Sequence, residues 1–585
     1  MNSSQIMAII IIVVIVAVLG ILSCFNNSQS LNKTKARTVG DGQFGNARWA
    51  TKKEISKSFK YIDYTPYLWR KGKNLPSEPA IVLNIKGHGR CKAMIDTSDS
   101  NTMMISAPGG FKTTGFLYHN IEYCLASEAS FLCTDTKGDL YRDWALIAKN
   151  DYGYLPYIID LRNSSKSHPK NIISNVNKYM DTYIKTGDIR YQAFAERAAK
   201  NIAHSIVYTK GFDGGGQNAF FYDAAEGLIA SVILLVSELC IPSQQHIVSV
   251  FKLCQELLEI DSSTEKRDKD GKIIKNPIMY IKKIMDMLPP EHKAKWLASP
   301  ALNSSNQSMM SVISTAMSRM LSFIDSDIEQ IICSDSDING EDLANHKIAV
   351  FIVFPEEDAT KHFLVSLIIR QFYDELLEVA SKNNNKLPKR VYFYEDEFGT
   401  LPAFNNVEDM FSAGRSRGLI QIPLIQSFGQ LEKNYKTSGE KIIKDCAQNA
   451  ILGWLAPLSD TNDNLSKMLG NQTVSSASVS SGKDSKNRTI QMTGKALMSP
   501  QAIRAMPKGH YILMKSGLYP TKIKIERYTT TKAIQIDKPY TMEEQPYHTI
   551  EYANRDEFIC SIQAKYGTKL QNEEDSLKII NAADY

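Results

Sequence analysis

The chain has 585 residues, of which 43% are hydrophobic and 22% charged, and a formal net charge of +5. That length exceeds what one hydrophobic core supports and predicts two or three folded units. The composition excludes a mostly disordered, collagenous or polytopic membrane chain, and the small charge permits a local basic patch for nucleic acid or anionic lipid without arguing for one. Nine cysteines (Cys24, Cys91, Cys124, Cys133, Cys240, Cys254, Cys333, Cys446 and Cys560) are scattered and never in CxxC spacing. They predict reduced, mostly buried thiols, and neither a disulfide framework nor a zinc site.

The first predicted element is a membrane span. Residues 6–25, IMAIIIIVVIVAVLGILSCF, carry no charge and at about 1.5 Å per residue cover about 30 Å, the hydrocarbon thickness of a bilayer. A cleaved signal peptide is the alternative, but MNSSQ supplies no basic start and no small-x-small cleavage site follows. Lys33, Lys35 and Arg37 follow the span and no charge precedes it. The positive-inside rule therefore places residues 1–5 outside and the bulk of the chain in the cytoplasm, as a single-pass membrane protein.

After a juxtamembrane segment at 26–76, short β-type runs alternate with turns through 77–135, including IVLN at 81–84, TMMIS at 102–106 and FLCTD at 131–135. From about 175 to 335 the pattern becomes helical, with FYDAAEGLIASVILLVSEL at 221–239 and SMMSVISTAMSRMLSFI at 308–324. Two polar stretches there, 211–218 and 262–272, read as surface loops. Strand and helix alternate again from 347: KIAVFIVF at 347–354, a helix over about 359–382, VYFYEDE at 391–397, a helix near 405–416, and IQIPLIQ at 420–426. The alternation predicts an α/β fold with a mostly parallel sheet, split by an inserted all-α domain. The predicted divisions are 77–175 and 336–530 for the two parts of the α/β domain, 176–335 for the insertion and 531–585 for a C-terminal tail. The Ser-rich run at 475–488 reads as a flexible loop, and the polar residues after about 565 as a mobile end.

Three segments carry chemistry. SAPGGFKTTG at 106–115 follows a β-type run and precedes a helix predicted from Thr113 to about Ala126, the context of a phosphate-binding loop. Lys112 would meet the β and γ phosphates of ATP and the Thr113 hydroxyl would hold Mg²⁺, while Pro108, Gly109 and Gly110 supply a permissive turn. The loop departs from GxxxxGK[ST]: Ser106 and Phe111 stand where the two defining glycines belong. A plain strand-to-helix turn with an exposed lysine is the bland reading. In YFYEDEFGTLPAF at 392–404, Asp396 would hold Mg²⁺ and Glu397 would polarise the attacking water; an ordinary acidic turn after a strand is its alternative. In GRSRGLIQIPLIQSFGQL at 414–431, Arg415 and Arg417 end a helix before a strand whose far end carries Gln426. Such arginines complete a neighbouring subunit's site, or simply complement a helix end.

Taken together, these segments resemble the type IV coupling proteins, the TraG-like conjugal transfer ATPases, over roughly residues 40–530. The landmarks run in the family's order: FGNARWA at 44–50, the loop at 106–113, DTKGDLY at 135–141, FYDAAEGLI at 221–229, EDEFGTLPAF at 395–404, LIQSFGQLEKNY at 424–435 and LMSPQAIRAMPKGHYILM at 497–514. The resemblance implies a RecA-like P-loop nucleotide-binding domain, a homo-oligomeric ring on the inner membrane face, and ATP and Mg²⁺ as cofactors. Its partners would be a relaxase bound to single-stranded DNA, or a secreted protein, and the components of a type IV secretion channel. By motif position Pro108, Gly109, Gly110, Lys112, Thr113 and Thr114 would bind nucleotide, and Thr113 and Asp396 the metal. Glu397, Arg415 and Gln426 would serve catalysis, Gln426 by sensing the nucleotide and Arg415 as the finger. The chain departs from the family in showing one span where two are common, in Ser106 and Phe111, and in Asp445 where an asparagine is usual.

Two further functions stay open at this stage. One is a substrate receptor or scaffold of the same apparatus that does not hydrolyse ATP; the other is a membrane-tethered DNA translocase.

Overall fold

A computed structural model of the chain describes residues 7, 13–18, 37–38, 42–208, 216–257, 259–262, 266–267, 273–275, 278–403, 407–481, 486–536 and 538–567. It divides into two compact units, Met1–Ser58 with Leu452–Ile523, and Phe59–Ile451 with Lys524–Tyr585.

The larger unit is built on a mostly parallel sheet. Its strands are β1 (Thr102–Ile105), β2 (Ser130–Asp135), β3 (Leu155–Asp160), β4 (Ile348–Val353), β5 (Val391–Glu395), β6 (Leu419–Ile425) and β7 (Asn449–Leu452), in the order β7-β1-β6-β5-β2-β4-β3. Every ladder from β1 across to β3 is parallel, with Val391 beside Leu419 and Ser130, and Ala349 beside Phe131 and Pro156. The central strands are near-continuous apolar runs buried at every position, which is what a sheet covered on both faces requires. The covering helices named below are α1 (Tyr118–Ala126), α2 (Asp139–Tyr152), α3 (Ala219–Leu239), α4 (Ala359–Lys382) and α5 (Phe428–Asp445). The helix expected from Thr113 begins instead as a π-helical turn, Lys112–Leu117, that runs into α1.

Not all of residues 77–135 belong to this sheet. Ile81–His88 pairs with Arg90–Asp96, which pairs with Lys60–Tyr64, in a separate antiparallel sheet. Residues 60–64 of the expected juxtamembrane segment join that pairing, with Tyr64 buried.

Between β3 and β4 the chain is mainly helical. α3 is, among the described residues, the helix long and apolar enough to cross a membrane, yet twelve of its residues are buried against neighbouring helices. At Gly227 a Cβ would lie 2.4 Å from the Leu297 carbonyl oxygen, so glycine is what lets the helix Lys293–Leu302 approach. Of the stretch 262–272, expected as a plain loop, Lys266–Arg267 pairs antiparallel with Ile273–Lys275, and 263–265 and 268–272 lie outside the described residues; the flanking Ile260–Asp261 pairs with Ile278–Met279. Of the other loop, 211–215 lie outside the described residues and Gly216–Asn218 is a 3₁₀ turn.

Two other expectations are corrected. The Ser-rich run is a hairpin, Asn471–Ser481 with Lys486–Ala496, in register from Asn471 beside Ala496 to Ser481 beside Lys486. A ladder of that length satisfies the backbone of small polar residues that composition assigns to a loop. The expected C-terminal tail is ordered to residue 567: it is helical over 555–567, and Ala553, Phe558, Ile562 and Tyr566 are buried. Residues beyond 567 lie outside the described set. Of the predicted span 6–25, Met7 and 13–18 are helical with exposed apolar side chains; the remainder lies outside the described residues.

Candidate functional site

Because the strands run parallel, β1, β5 and β6 deliver their C-terminal ends to one edge of the sheet, where ligand sites of open α/β sheets form. β1 leads into the loop 106–111. Ser106 N–H donates to the Ile425 carbonyl at 3.0 Å, tying the loop to the end of β6, and Gly110 N–H donates to Ala107 O at 3.2 Å. Gly109 has φ +76° and Phe111 φ +69°. Phe111 thus holds the left-handed conformation for which glycine is the natural residue. The N–H groups of Gly115 and Phe116 both donate to Phe111 O, and a Cβ on Gly115 would lie 2.9 Å from both Phe111 Cβ and Ile525 Cγ2. The Arg527 guanidinium lies 4.7 Å from the centroid of the Phe111 ring.

This turn presents two side chains to the end of β5. Lys112, only 6% exposed, places Nζ 3.0 Å from Glu397 Oε1. The Thr113 hydroxyl donates to Asp396 Oδ2 at 3.0 Å. From the end of β6, Gln426 Nε2 donates to Glu397 Oε2 at 2.9 Å. Five of the predicted residues (Lys112, Thr113, Asp396, Glu397 and Gln426) are therefore in one hydrogen-bonded cluster. Pro108 and Gly109 are exposed on the loop, Gly110 is buried, and Thr114 is half-buried in the π-helical turn. Arg415 is not in the cluster. It precedes the start of β6, near Cys446 and Asp445, and the seven residues of β6 hold it roughly 20 Å from the Gln426 end.

The acidic turn is held by partners that carry no motif. The Thr134 hydroxyl donates to Asp396 O at 2.7 Å. Gln430 Oε1 accepts from Gln426 N–H at 2.8 Å, and Asn434 Nδ2 donates to the carbonyls of Gly399 and Leu401. A Cβ on Gly399 would lie 2.4 Å from Gln430 Oε1, so α5 closes on this turn only because the residue is glycine. Asp135, at the end of β2, accepts from the N–H groups of Lys137, Gly138, Leu140 and Tyr141 at the start of α2. DTKGDLY holds the signal for that cap, an aspartate shortly before a helix; Arg527, Gln430 and Asn434 have no such signal.

Burial raises the Asp396 carboxyl to about 6, helped by the Glu397 charge and opposed by Lys112 and the Thr113 hydrogen bond. A buried carboxylate in this state gains from a cation placed beside it. Asp135 is also raised, by burial, against the pull of its four N–H donors. One chain can thus offer a lysine, a hydroxyl, a cation-seeking carboxylate and a second carboxylate held by an amide, all at the end of a phosphate-type loop.

Comparison with known proteins gives the family and the fold. Residues 42–551 match the model of the family described as type IV secretory system conjugative DNA transfer. The chain is 21% identical over 519 residues to the type IV secretion system-coupling protein VirD4 of Bartonella quintana (strain Toulouse), covering 84% of this chain and 73% of that one. Its fold is similar to the bacterial conjugative coupling protein TrwBdeltaN70 in an unbound form, at a TM-score of 0.54 and 15% identity over 86% of this chain and 98% of that one. The plasmid coupling protein TrwB in complex with ADP and Mg²⁺ gives a TM-score of 0.51 at 13% identity, over 85% and 98%. At those identities the structural likeness speaks for the fold alone.

Proposed function

The chain belongs to the type IV secretory system conjugative DNA transfer family, and from that premise we propose that it is a membrane-anchored coupling protein that binds ATP with Mg²⁺ and hydrolyses it to support transfer. The observation that carries this reading is the cluster at the ends of β1, β5 and β6: Lys112 on Glu397, Thr113 on Asp396, and Gln426 on Glu397. The fold it belongs to is a RecA-like P-loop domain interrupted by a helical insertion.

The donor set suits a magnesium nucleotide. Lys112 is the cation for phosphate oxygens, exchanging Glu397 for them, and the N–H groups of the loop supply further donors. Thr113 and Asp396, joined at 3.0 Å, would be the protein contacts for the ion, as in other phosphate-loop sites where the nucleotide and water complete the shell. The bound magnesium nucleotide supplies the phosphoryl group and neutralises the charge that develops on it. Once Lys112 turns to phosphate, Glu397 is left to orient and deprotonate water, with the Gln426 amide fixing its other oxygen. Arg415, remote from this cluster in its own chain, would act on the site of a neighbouring copy in a ring. The apolar run 6–25, followed by basic residues, supports an inner-membrane anchor with the body in the cytoplasm. The substrates in this reading are a relaxase with single-stranded DNA or a secreted protein, passed to the secretion channel.

A second reading, a receptor that does not hydrolyse ATP, is favoured by one observation: the loop's glycine position is held by Phe111 beneath Arg527. The deciding experiment uses full-length protein extracted from the membrane fraction. Glu397→Gln should retain nucleotide binding and lose hydrolysis by at least about a hundredfold, as removal of a general base does. In the same assay Arg415→Ala should lose turnover only where the protein is assembled. Unchanged turnover in Glu397→Gln would remove Glu397 from catalysis, and a wild type that binds nucleotide and never turns over would establish the receptor instead. Recovery of the intact protein wholly in the soluble fraction would count against the anchor.

A further inference from the structure

The antiparallel sheet of residues 60–64, 81–88 and 90–96 packs with one face and leaves the other open. Ile85, Ala93 and Ile95 are buried on the packed side. In register on the open side, Tyr61 lies beside Met94, Asp63 beside Lys92, Asn84 beside Met94 and Lys86 beside Lys92. Tyr61, Asn84, Lys86, Gly87, Lys92 and Met94 enclose a cup of about 370 Å³, within the size range of small-molecule sites. Met94 and Asn84 form its floor at 3% and 5% exposure, and the Tyr61 ring stands over it at 48%, its hydroxyl donating to Met94 Sδ at 3.3 Å. The two lysines are exposed on the wall.

Four features of this cup work against the sheet as a purely structural element. Lys86 and Lys92 are directly opposite each other, a like-charge cross-strand pair that destabilises a ladder. Neither lysine has an ion pair among the described residues, and Asp63, although in register with Lys92, does not reach it. The pairing shifts register between Val82 and Asn84, a bulge of the kind that re-aims a side chain at a functional site. The Asn84 Oδ1 is buried without a hydrogen-bond partner, which costs stability unless something bonds it. Gly87, at φ +118° and too close to the Arg90 carbonyl for any Cβ, leaves bare backbone at the rim.

We propose that this cup binds one nucleotide unit. The base stacks on Tyr61 above Met94 and meets the Asn84 amide at its edge, and the phosphate sits between Lys86 and Lys92. An aromatic face flanked by cations is how bases and phosphates of single strands are held. The cup shares no residue with the Lys112 cluster, so the inference goes beyond the proposed ATP site. The nucleotide unit has two sources, a free mononucleotide or one residue of a single strand.

The test measures fluorescein-labelled (dT)12 by anisotropy over a salt series, and dTMP by calorimetry, on the full-length chain with the variants Tyr61→Ala, Tyr61→Phe and Lys86→Ala/Lys92→Ala. Tyr61→Ala should weaken binding by about 5- to 150-fold while Tyr61→Phe keeps it. The double lysine variant should reduce the slope of log K against log salt by about 0.7, one phosphate contact. ATP binding through Lys112 should be unchanged in all three, which separates failure of this cup from failure of the ATP site and shows that the variants fold. Loss of dTMP binding along with the oligonucleotide identifies a free nucleotide as a ligand; loss of the oligonucleotide alone identifies a strand. Unchanged affinity and salt slope in Tyr61→Ala and the double variant would overturn the proposal. So would an effect confined to vesicles containing phosphatidylglycerol, which would make the face a lipid contact.

Discussion

Glu395 sits on β5 immediately before the two acidic site residues, wholly buried, with neither carboxyl oxygen partnered. Burial raises its pKa from 4.5 to about 8. A carboxyl raised on folding contributes stability that is fully present below its unfolded value and is lost as pH rises through its folded value. Between about 4.5 and about 8 the folded protein should therefore lose about 1.4 kcal/mol per pH unit from this group. Glu395→Gln removes that dependence, so thermal unfolding at pH 6 and pH 8 should show the variant gaining on the wild type at the higher pH. Equal pH dependence in the two proteins would exclude the buried carboxyl. Phe111 poses the opposite question, because its left-handed backbone costs about 1–2 kcal/mol while its contact with Arg527 returns about 0.5–1 kcal/mol. Phe111→Gly should consequently shift stability by no more than about 1.5 kcal/mol, and nucleotide affinity measured by calorimetry should stay equal or tighten. A tenfold loss of affinity would show that the ring itself holds the loop in its working shape.

At the scale of elements, the strands and helices that build the site were readable because their signals are local and long. KIAVFIVF, VYFYEDE and IQIPLIQ lie within one or two residues of β4, β5 and β6, and α4 spans the predicted 359–382. Segments whose order comes from distant partners were not readable. The Ser-rich hairpin gains its order from pairing along its whole length, which composition does not display. The segment after residue 531 is polar overall, yet Phe558, Ile562 and Tyr566 recur at four-residue spacing, the stripe of an amphipathic helix hidden in that polarity. That helix is tied to the helical region by the Tyr566 hydroxyl and Lys565 on Glu238, by Arg555 on Glu259, and by the Ser249 hydroxyl accepting from Ala553 N–H. Truncating fully buried Ile562 to alanine should cost about 2–5 kcal/mol and make residues 533–567 the first site of limited proteolysis. An unaltered digestion pattern would mean that the segment is held by its polar contacts alone.

For the molecule as a whole, the cluster could be foreseen by residue type but not by geometry. A lysine after a glycine turn and an acidic pair after a strand predict partners; that Lys112 pairs with Glu397 across 285 positions depends on strand order, which places β6 and β5 between β1 and β2. Arg415 and Gln426 lie apart for a simpler reason: they flank the two ends of the seven-residue strand β6. The central claim is that this cluster binds a magnesium nucleotide and that binding drives transfer. Its most direct test is nucleotide affinity by calorimetry for full-length wild type and Lys112→Ala, with thermal stability as the control for folding and a transfer assay on the same two alleles. Loss of the charged contact should weaken affinity by about ten- to a hundredfold and abolish transfer while the variant still unfolds in a cooperative transition. Equal affinity in the two proteins, with transfer indifferent to the substitution, would contradict the claim.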